Sequence, residues 1–218
     1  LQSRIIKMMN HTISIYEVRS MKILMIGNKE SGKTTYMASA FGKLDNGISG
    51  FYIRTDPTTK AWFQRVYKQI GDGNYPVATD KRGSYHFQLY YNQRSVLDFD
   101  WIDYNGGVIT DTSIEALQKD IDSADGMMIF LDSVALLNNQ MSVHRFRRII
   151  ALITEKLEKN ESPLFSVIIV LTKFDRIPSN VSFEQVKQPI QQFIDNASEN
   201  KRLYIRVVPI SCSKDGFY

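Results

Sequence analysis

The chain has 218 residues, 43% of them hydrophobic and 23% charged, and its 12 glycines and 6 prolines exclude a collagen-like, low-complexity or disordered polypeptide. One cysteine, Cys212, excludes a disulfide framework, and no apolar run approaches the roughly 20 residues that span a bilayer, so the expectation is a single cytoplasmic domain. The net charge of +4 comes from scattered basic residues. Their densest cluster, His144, Arg145, Arg147 and Arg148, falls on a predicted helix and reads as a solvated face, so nucleic acid is not an expected partner.

In chain order, Leu1–Ser20 reads as an N-terminal extension, with apolar Ile5, Ile6, Met8 and Met9, and 21–218 as the domain. Met21–Ile26 is an apolar run ending at Gly27, a buried strand entering a glycine loop. Thr34–Leu44 carries Met37, Phe41 and Leu44 at helical spacing. Phe63, Val66, Tyr67 and Ile70 mark a second helix that starts after Pro57 and ends at Gly71-Asp72-Gly73. Tyr85–Tyr91 alternates like a half-exposed strand, Asn92-Gln93-Arg94 reads as a hairpin loop, and Val96–Asp103 is the partner strand. Helices around Ile114–Ile121, Val143–Leu157 and Phe183–Ile194, the last with Pro189 expected to kink it, then alternate with strands Gly126–Leu131, Ser166–Leu171 and Leu203–Ile210. Six strands separated mainly by helices imply an α/β fold of three layers. Its sheet is mainly parallel, with one antiparallel strand and helices on both faces. Such sheets bind ligands at the carboxyl ends of their strands.

Gly27-Asn28-Lys29-Glu30-Ser31-Gly32-Lys33-Thr34 matches G-x-x-x-x-G-K-[ST] in full. Its glycines let successive N–H groups point at phosphate oxygens, and the following helix adds the positive end of its dipole. Lys33 is placed to bridge β and γ phosphates, and Thr34 to offer its hydroxyl to Mg²⁺; Thr35 joins them among the nucleotide-binding residues. After the strand Ser166–Leu171 comes Thr172-Lys173-Phe174-Asp175, which resembles the [NT]-K-x-D guanine motif of the GTPase superfamily. There the carboxylate accepts from the N1–H and the amino group of guanine, which adenine does not present in that arrangement. Asp103-Tyr104-Asn105-Gly106 fits the D-x-x-G motif of that superfamily, in which Asp103 holds Mg²⁺ through a water and the Gly106 N–H reads the γ phosphate. Ser211-Cys212-Ser213-Lys214 resembles the S-A-K loop that contacts guanine through backbone N–H, with Cys212, or on a one-residue shift Ser213, in the alanine place.

Four motifs in order, covering Met21 to Lys214, therefore resemble the GTPase superfamily of P-loop proteins, in the branch with Ras-like and Gα domains. Glu30-Ser31-Gly32-Lys33-Thr34 is similar to the Gα phosphate loop, and the middle of the chain is similar to prokaryotic double-GTPase families. The resemblance implies a first-switch threonine that senses the γ phosphate and joins Thr34 on the metal. Thr58 of Asp56-Pro57-Thr58 lies 45 residues before Asp103, and Thr79 lies 24 before it, directly ahead of the hairpin; spacing favours Thr79. Residues 57–72 are then a helical insertion. The family's closing helix is not evident after the guanine loop, so an apolar face is left for the N-terminal extension or a further segment to cover.

The superfamily's water-orienting glutamine is replaced by Gly107, with Thr110, Asp111 and Glu115 the next candidates. No arginine stands just before Thr79; Arg82 follows it and reaches the phosphates only if its loop folds inward. Slow intrinsic hydrolysis of GTP to GDP and phosphate is expected, with a protein effector, an activating partner or a second copy completing the switch. A GTP-binding module without hydrolysis and a P-loop ATPase remain open as alternatives. Tyr85–Tyr91 reads first as an ordinary edge strand, and its exposed His86, Gln88 and Tyr90 as a partner surface.

Overall fold

A computed structural model describes residues 20–76, 82–104, 111–140, 143–159, 164–213 and 216–217. The extension 1–19, Thr79, Gly106, Gly107 and Thr110 lie outside the described residues. The elements are β1 (Met21–Gly27), α1 (Lys33–Asp45), β2 (Phe51–Arg54), α2 (Pro57–Gly71), β3 (Gly83–Tyr91), β4 (Arg94–Asp103), α3 (Asp111–Ser123), β5 (Gly126–Asp132) and α4 (Ser133–Leu137). They continue through α5 (Val143–Lys159), β6 (Phe165–Thr172), a 3₁₀ turn (Phe174–Arg176), α6 (Phe183–Ser198) and β7 (Leu203–Pro209), followed by a two-residue pair, β8 (Cys212–Ser213) and β9 (Gly216–Phe217).

Strand order in the main sheet is β2-β3-β4-β1-β5-β6-β7, with β3 antiparallel to both its neighbours and all other pairs parallel. Seven strands stand where six were expected. The extra one is β2, whose four residues are too few to show an alternation. It is held by cross-strand aromatics: Tyr52 stacks on Tyr90 at 4.9 Å, and Phe51 meets Tyr91 at 4.7 Å. The β3–β4 turn is tighter than expected. Tyr91 pairs with Arg94, leaving only Asn92 and Gln93, both at positive φ as a type I′ turn requires.

Helices cover both faces, and each face has its own core. Met37 and Phe41 of α1 and Phe63, Val66 and Ile70 of α2 pack on Met25, Phe87, Phe99, Trp101 and Phe130. On the other face α3, α5 and α6 bury Leu117, Ile121, Ile153, Leu157, Val186 and Ile190 against Leu24, Ile129, Val167 and Ile169. Helix α2 begins as its sequence dictates, with Asp56 accepting from Thr58 N and Thr59 N at 3.0 Å each and Pro57 in the first turn. Asp-Pro-Thr is thus a helix cap. Helix α6 runs through Pro189 as one element, opened by a capping box between Ser182 and Gln185. Over β2 to β4 the second face carries polar residues instead of a core. There His86 lies between Asp98 at 3.2 Å and Asp100 at 3.0 Å, and Arg54 sits over Tyr90.

Lys156 of α5 is 3% exposed, and its ammonium sits where the last carbonyls of α3 converge. It donates to Ile121 O at 2.8 Å, Asp122 O at 3.1 Å and Ala124 O at 2.5 Å, and lies 4.5 Å from the Phe165 ring centre. A buried cation is tolerated because carbonyl dipoles at a helix C-terminus replace its water shell. Lys156→Met keeps the apolar volume and strips those carbonyls of their donor, so urea unfolding is expected to lose about 1–3 kcal/mol of stability. An unchanged midpoint would show that the cap contributes nothing.

Candidate nucleotide site

The phosphate loop leaves β1 at Gly27 and must pass close over the end of β5. A Cβ on Gly27 would lie 2.5 Å from Ser31 Oγ and 2.7 Å from the Phe130 carbonyl oxygen, and the latter is backbone that cannot give way. Gly32 has φ +85° at the entry to α1, the left-handed region that glycine adopts without strain. Glu30 takes φ +63° without that freedom, at a cost of order 1–3 kcal/mol that surrounding contacts must offset. Those contacts include Ser31 N donating to Asn28 O at 3.1 Å and Tyr36 N to Gly32 O at 2.8 Å.

Lys33 is 9% exposed and lies under the loop, donating to Gly27 O at 3.0 Å and Asn28 O at 3.4 Å. Burial lowers its pKa, and the charge of buried Asp103 at the end of β4 works in the opposite direction. Anionic phosphate at this place would further favour the ammonium.

The second motif arrives from β6. Thr172 is buried, and its hydroxyl donates to Ser31 O at 2.8 Å, with Leu131 O the alternative acceptor at 3.2 Å. Lys173, at φ +55°, turns the chain and sends its ammonium to Asp132 Oδ2 at 2.5 Å. Asp132 also caps α4, accepting from Val134 N at 2.9 Å and Ala135 N at 3.2 Å. Asp175 follows in the 3₁₀ turn with its carboxylate exposed. Burial pushes the Cys212 thiol up to about 12, against a hydrogen bond with Ser39 that pulls it down and with the Asp175 charge adding to the rise, so the thiol stays neutral at physiological pH.

Lys29 through Thr35, together with Thr172, Lys173, Asp175 and Cys212, surround one cavity of about 240 Å³. The structure thus brings the phosphate motif and the strand-end motif of β6 to one space. Gly27 and Asn28, whose carbonyls accept from Lys33, and Ser211, between β7 and β8, are not among the cavity's described lining; of the Ser213 side chain nothing is described. Tyr75, Pro76, Arg176 and Ile210 also line the cavity, and sequence reasoning missed them as site residues. Thr58 is in the first turn of α2 and is not among the cavity's described lining. Glu115 is exposed on α3, and Asp111 opens that helix. Arg82 pairs with Asp120 of α3 at 2.7 Å and is not among the cavity's described lining.

Against known proteins, a family model described as double-GTPase 2 matches residues 22–214. The chain belongs to the double-GTPase 2 family. The chain is therefore of the P-loop GTPase class, and solved structures share its fold at low identity. The double-GTPase 2 chain superposes on the signal recognition particle receptor SRb-GTP/SRX complex from Chaetomium thermophilum with TM-score 0.53 and 12% identity, over 88% of this chain and 91% of that one. With the S. cerevisiae Ski7 GTPase-like domain, bound to GTP, the TM-score is 0.54 and identity 15%, over 93% of this chain and 45% of that one. A GTP-binding protein from the hyperthermophilic archaeon Sulfolobus solfataricus, in complex with GDP, gives TM-score 0.43 and 16% identity, over 97% and 52%. This chain thus spans about half the length of the archaeal and yeast chains. No curated protein matches it.

In this double-GTPase 2 site, Thr172→Val keeps the shape of the side chain and removes the hydroxyl that ties β6 to the loop. The variant is expected to bind guanine nucleotide about tenfold more weakly, the ratio set by one lost buried hydrogen bond. Equilibrium titration with a fluorescent nucleotide checks this, and unchanged affinity would mean that the tie is dispensable.

Proposed function

We propose that the chain is a regulatory GTPase that binds GTP with Mg²⁺, hydrolyses it slowly and changes the loops around the terminal phosphate to control a protein partner. The observation that carries this reading is the single cavity shared by Lys33, Thr34 and Asp175. Phosphate oxygens would meet the loop amides, the N-terminus of α1 and Lys33. Asp175, which lines the same cavity, would accept the two guanine donors, with Cys212 near it.

For the metal, the donor set fits a hard cation. Thr34 offers a hydroxyl and Asp103 a buried carboxylate at the adjoining strand end. Among the described residues no group of three or more His, Cys, Asp or Glu could hold a metal. A nucleotide-bound Mg²⁺ needs only one or two carboxylates plus phosphates and water. Thr79 is the proposed third protein contributor and Gly106 the γ-phosphate sensor. The ion would neutralise charge that develops on the phosphate oxygens.

The protein's own part in hydrolysis is positioning and charge. Lys33 would hold the β and γ phosphates from beneath, while Asp103 would keep the lysine oriented and charged. Gly107 in place of a glutamine, and Arg82 on Asp120, supply no evident group for the attacking water or for transition-state charge. Since an arginine finger is worth about 10³–10⁵ in rate, the isolated chain is expected to turn over slowly and to accelerate with a partner or a second copy. The open polar face around His86, Gln88 and Tyr90 is the proposed docking surface.

Asp175→Asn replaces a two-point acceptor with a group that also donates. It is expected to lower GTP affinity about 100-fold and leave ATP affinity little changed. Single-turnover cleavage of GTP by wild type with Mg²⁺ is expected below about 10⁻² s⁻¹. Equal loss of GTP and ATP in the variant would overturn the guanine assignment, and fast cleavage would overturn the need for a partner.

A further inference from the structure

Arg145 belongs to the basic cluster that reads as a solvated face, yet it is half-buried while His144, Arg147 and Arg148 are exposed. Its Nη1 donates to Asn28 Oδ1 at 3.0 Å, joining α5 to the phosphate loop across 117 residues of chain. The orientation of the Asn28 amide follows, because a guanidinium only donates and must face the oxygen. Asn28 in turn is the loop's hub: its carbonyl accepts from Ser31 N at 3.1 Å and from Lys33 Nζ at 3.4 Å. The other end of α5 is fixed as well. Lys156, about three turns along on the same face of the helix, holds the carbonyls at the end of α3. The guanidinium therefore projects from a helix anchored at both ends. Arg145 is not among the described residues lining the cavity, and its bond to Asn28 is what links it to the loop.

We propose that Arg145 is a positioning residue of the phosphate loop. Through Asn28 it fixes the turn on which the Lys33 ammonium rests, and so sets nucleotide residence and turnover from outside the cavity. A charge-assisted hydrogen bond is stronger than a neutral one, and this one acts on a loop that carries a left-handed non-glycine residue at Glu30. Losing it would let the 28–31 turn relax and the lysine drift from its two carbonyls. The proposal rests on the nucleotide reading of the cavity, but its effect on the loop is independent of any ligand.

The test uses the full chain as wild type, Asn28→Ala, Arg145→Met, the double variant, Arg145→Lys, and Arg147→Ala as an exposed control. Each single loss is expected to speed dissociation of fluorescent GDP about tenfold, and the double variant by about the same factor. Arg145→Lys should recover part of the loss, and Arg147→Ala should match wild type. Hydrogen exchange of the 27–34 amides without nucleotide should accelerate in Arg145→Met. Unchanged dissociation together with unchanged exchange would overturn the proposal, as would independent, multiplying effects of the two substitutions or a lysine variant no better than methionine. If wild type binds no GDP but loop exchange still accelerates, the positioning role stands and the nucleotide reading falls.

Discussion

Where the phosphate loop crosses the ends of β5 and β6, three close approaches hold it to the sheet. Gly27 lies against the Phe130 carbonyl with no room for a Cβ, the Gly32 α-carbon faces Thr172, and the Thr172 hydroxyl reaches Ser31 O at 2.8 Å. That last bond joins two motifs that are 141 residues apart in the chain. A phosphate cradle and a base acceptor can serve one nucleotide only if the distance between them is fixed. Here it is fixed by a buried hydroxyl whose loss removes the bond to Ser31 O, so the packing of β6 against the loop is coupled to the span of the site.

The same crossing explains the electrostatics. Lys33 is buried beneath the loop at a cost to its charge, offset by two carbonyl oxygens and by Asp103. Lys173 is turned by a left-handed backbone toward Asp132, which is already the cap of α4. The first lysine is poised under the loop, and the second is spent on bracing the strand end. On the proposed nucleotide reading, a phosphate in the cavity would meet Lys33 together with the N-terminus of α1.

Much of this was legible in the chain because it is local. The loop motif, Pro57 as a helix start, and the apolar runs of β1, β5 and β6 each depend on neighbours a few residues away. What depends on distant partners was not legible. Four residues at β2 carry too little periodicity, and only their aromatic pairing with β3 makes them a strand. Tyr75 and Pro76 line the cavity from the segment after α2, which is distant in the chain from both motifs. Charges on a helix usually face water, and nothing in the residues around Arg145 distinguishes it from Arg147. Its contact with Asn28 comes from where α5 begins relative to the loop.

The central claim is that one cavity selects a guanine nucleotide through two motifs held in register. Calorimetric titration of wild-type chain with GTP and with ATP, in the presence of Mg²⁺, tests it most directly. The account predicts one site per chain with GTP bound at least about 100-fold more tightly than ATP, as expected for a site that hydrogen-bonds the donors ATP lacks. Equal affinities for the two nucleotides, or binding of neither, would contradict it.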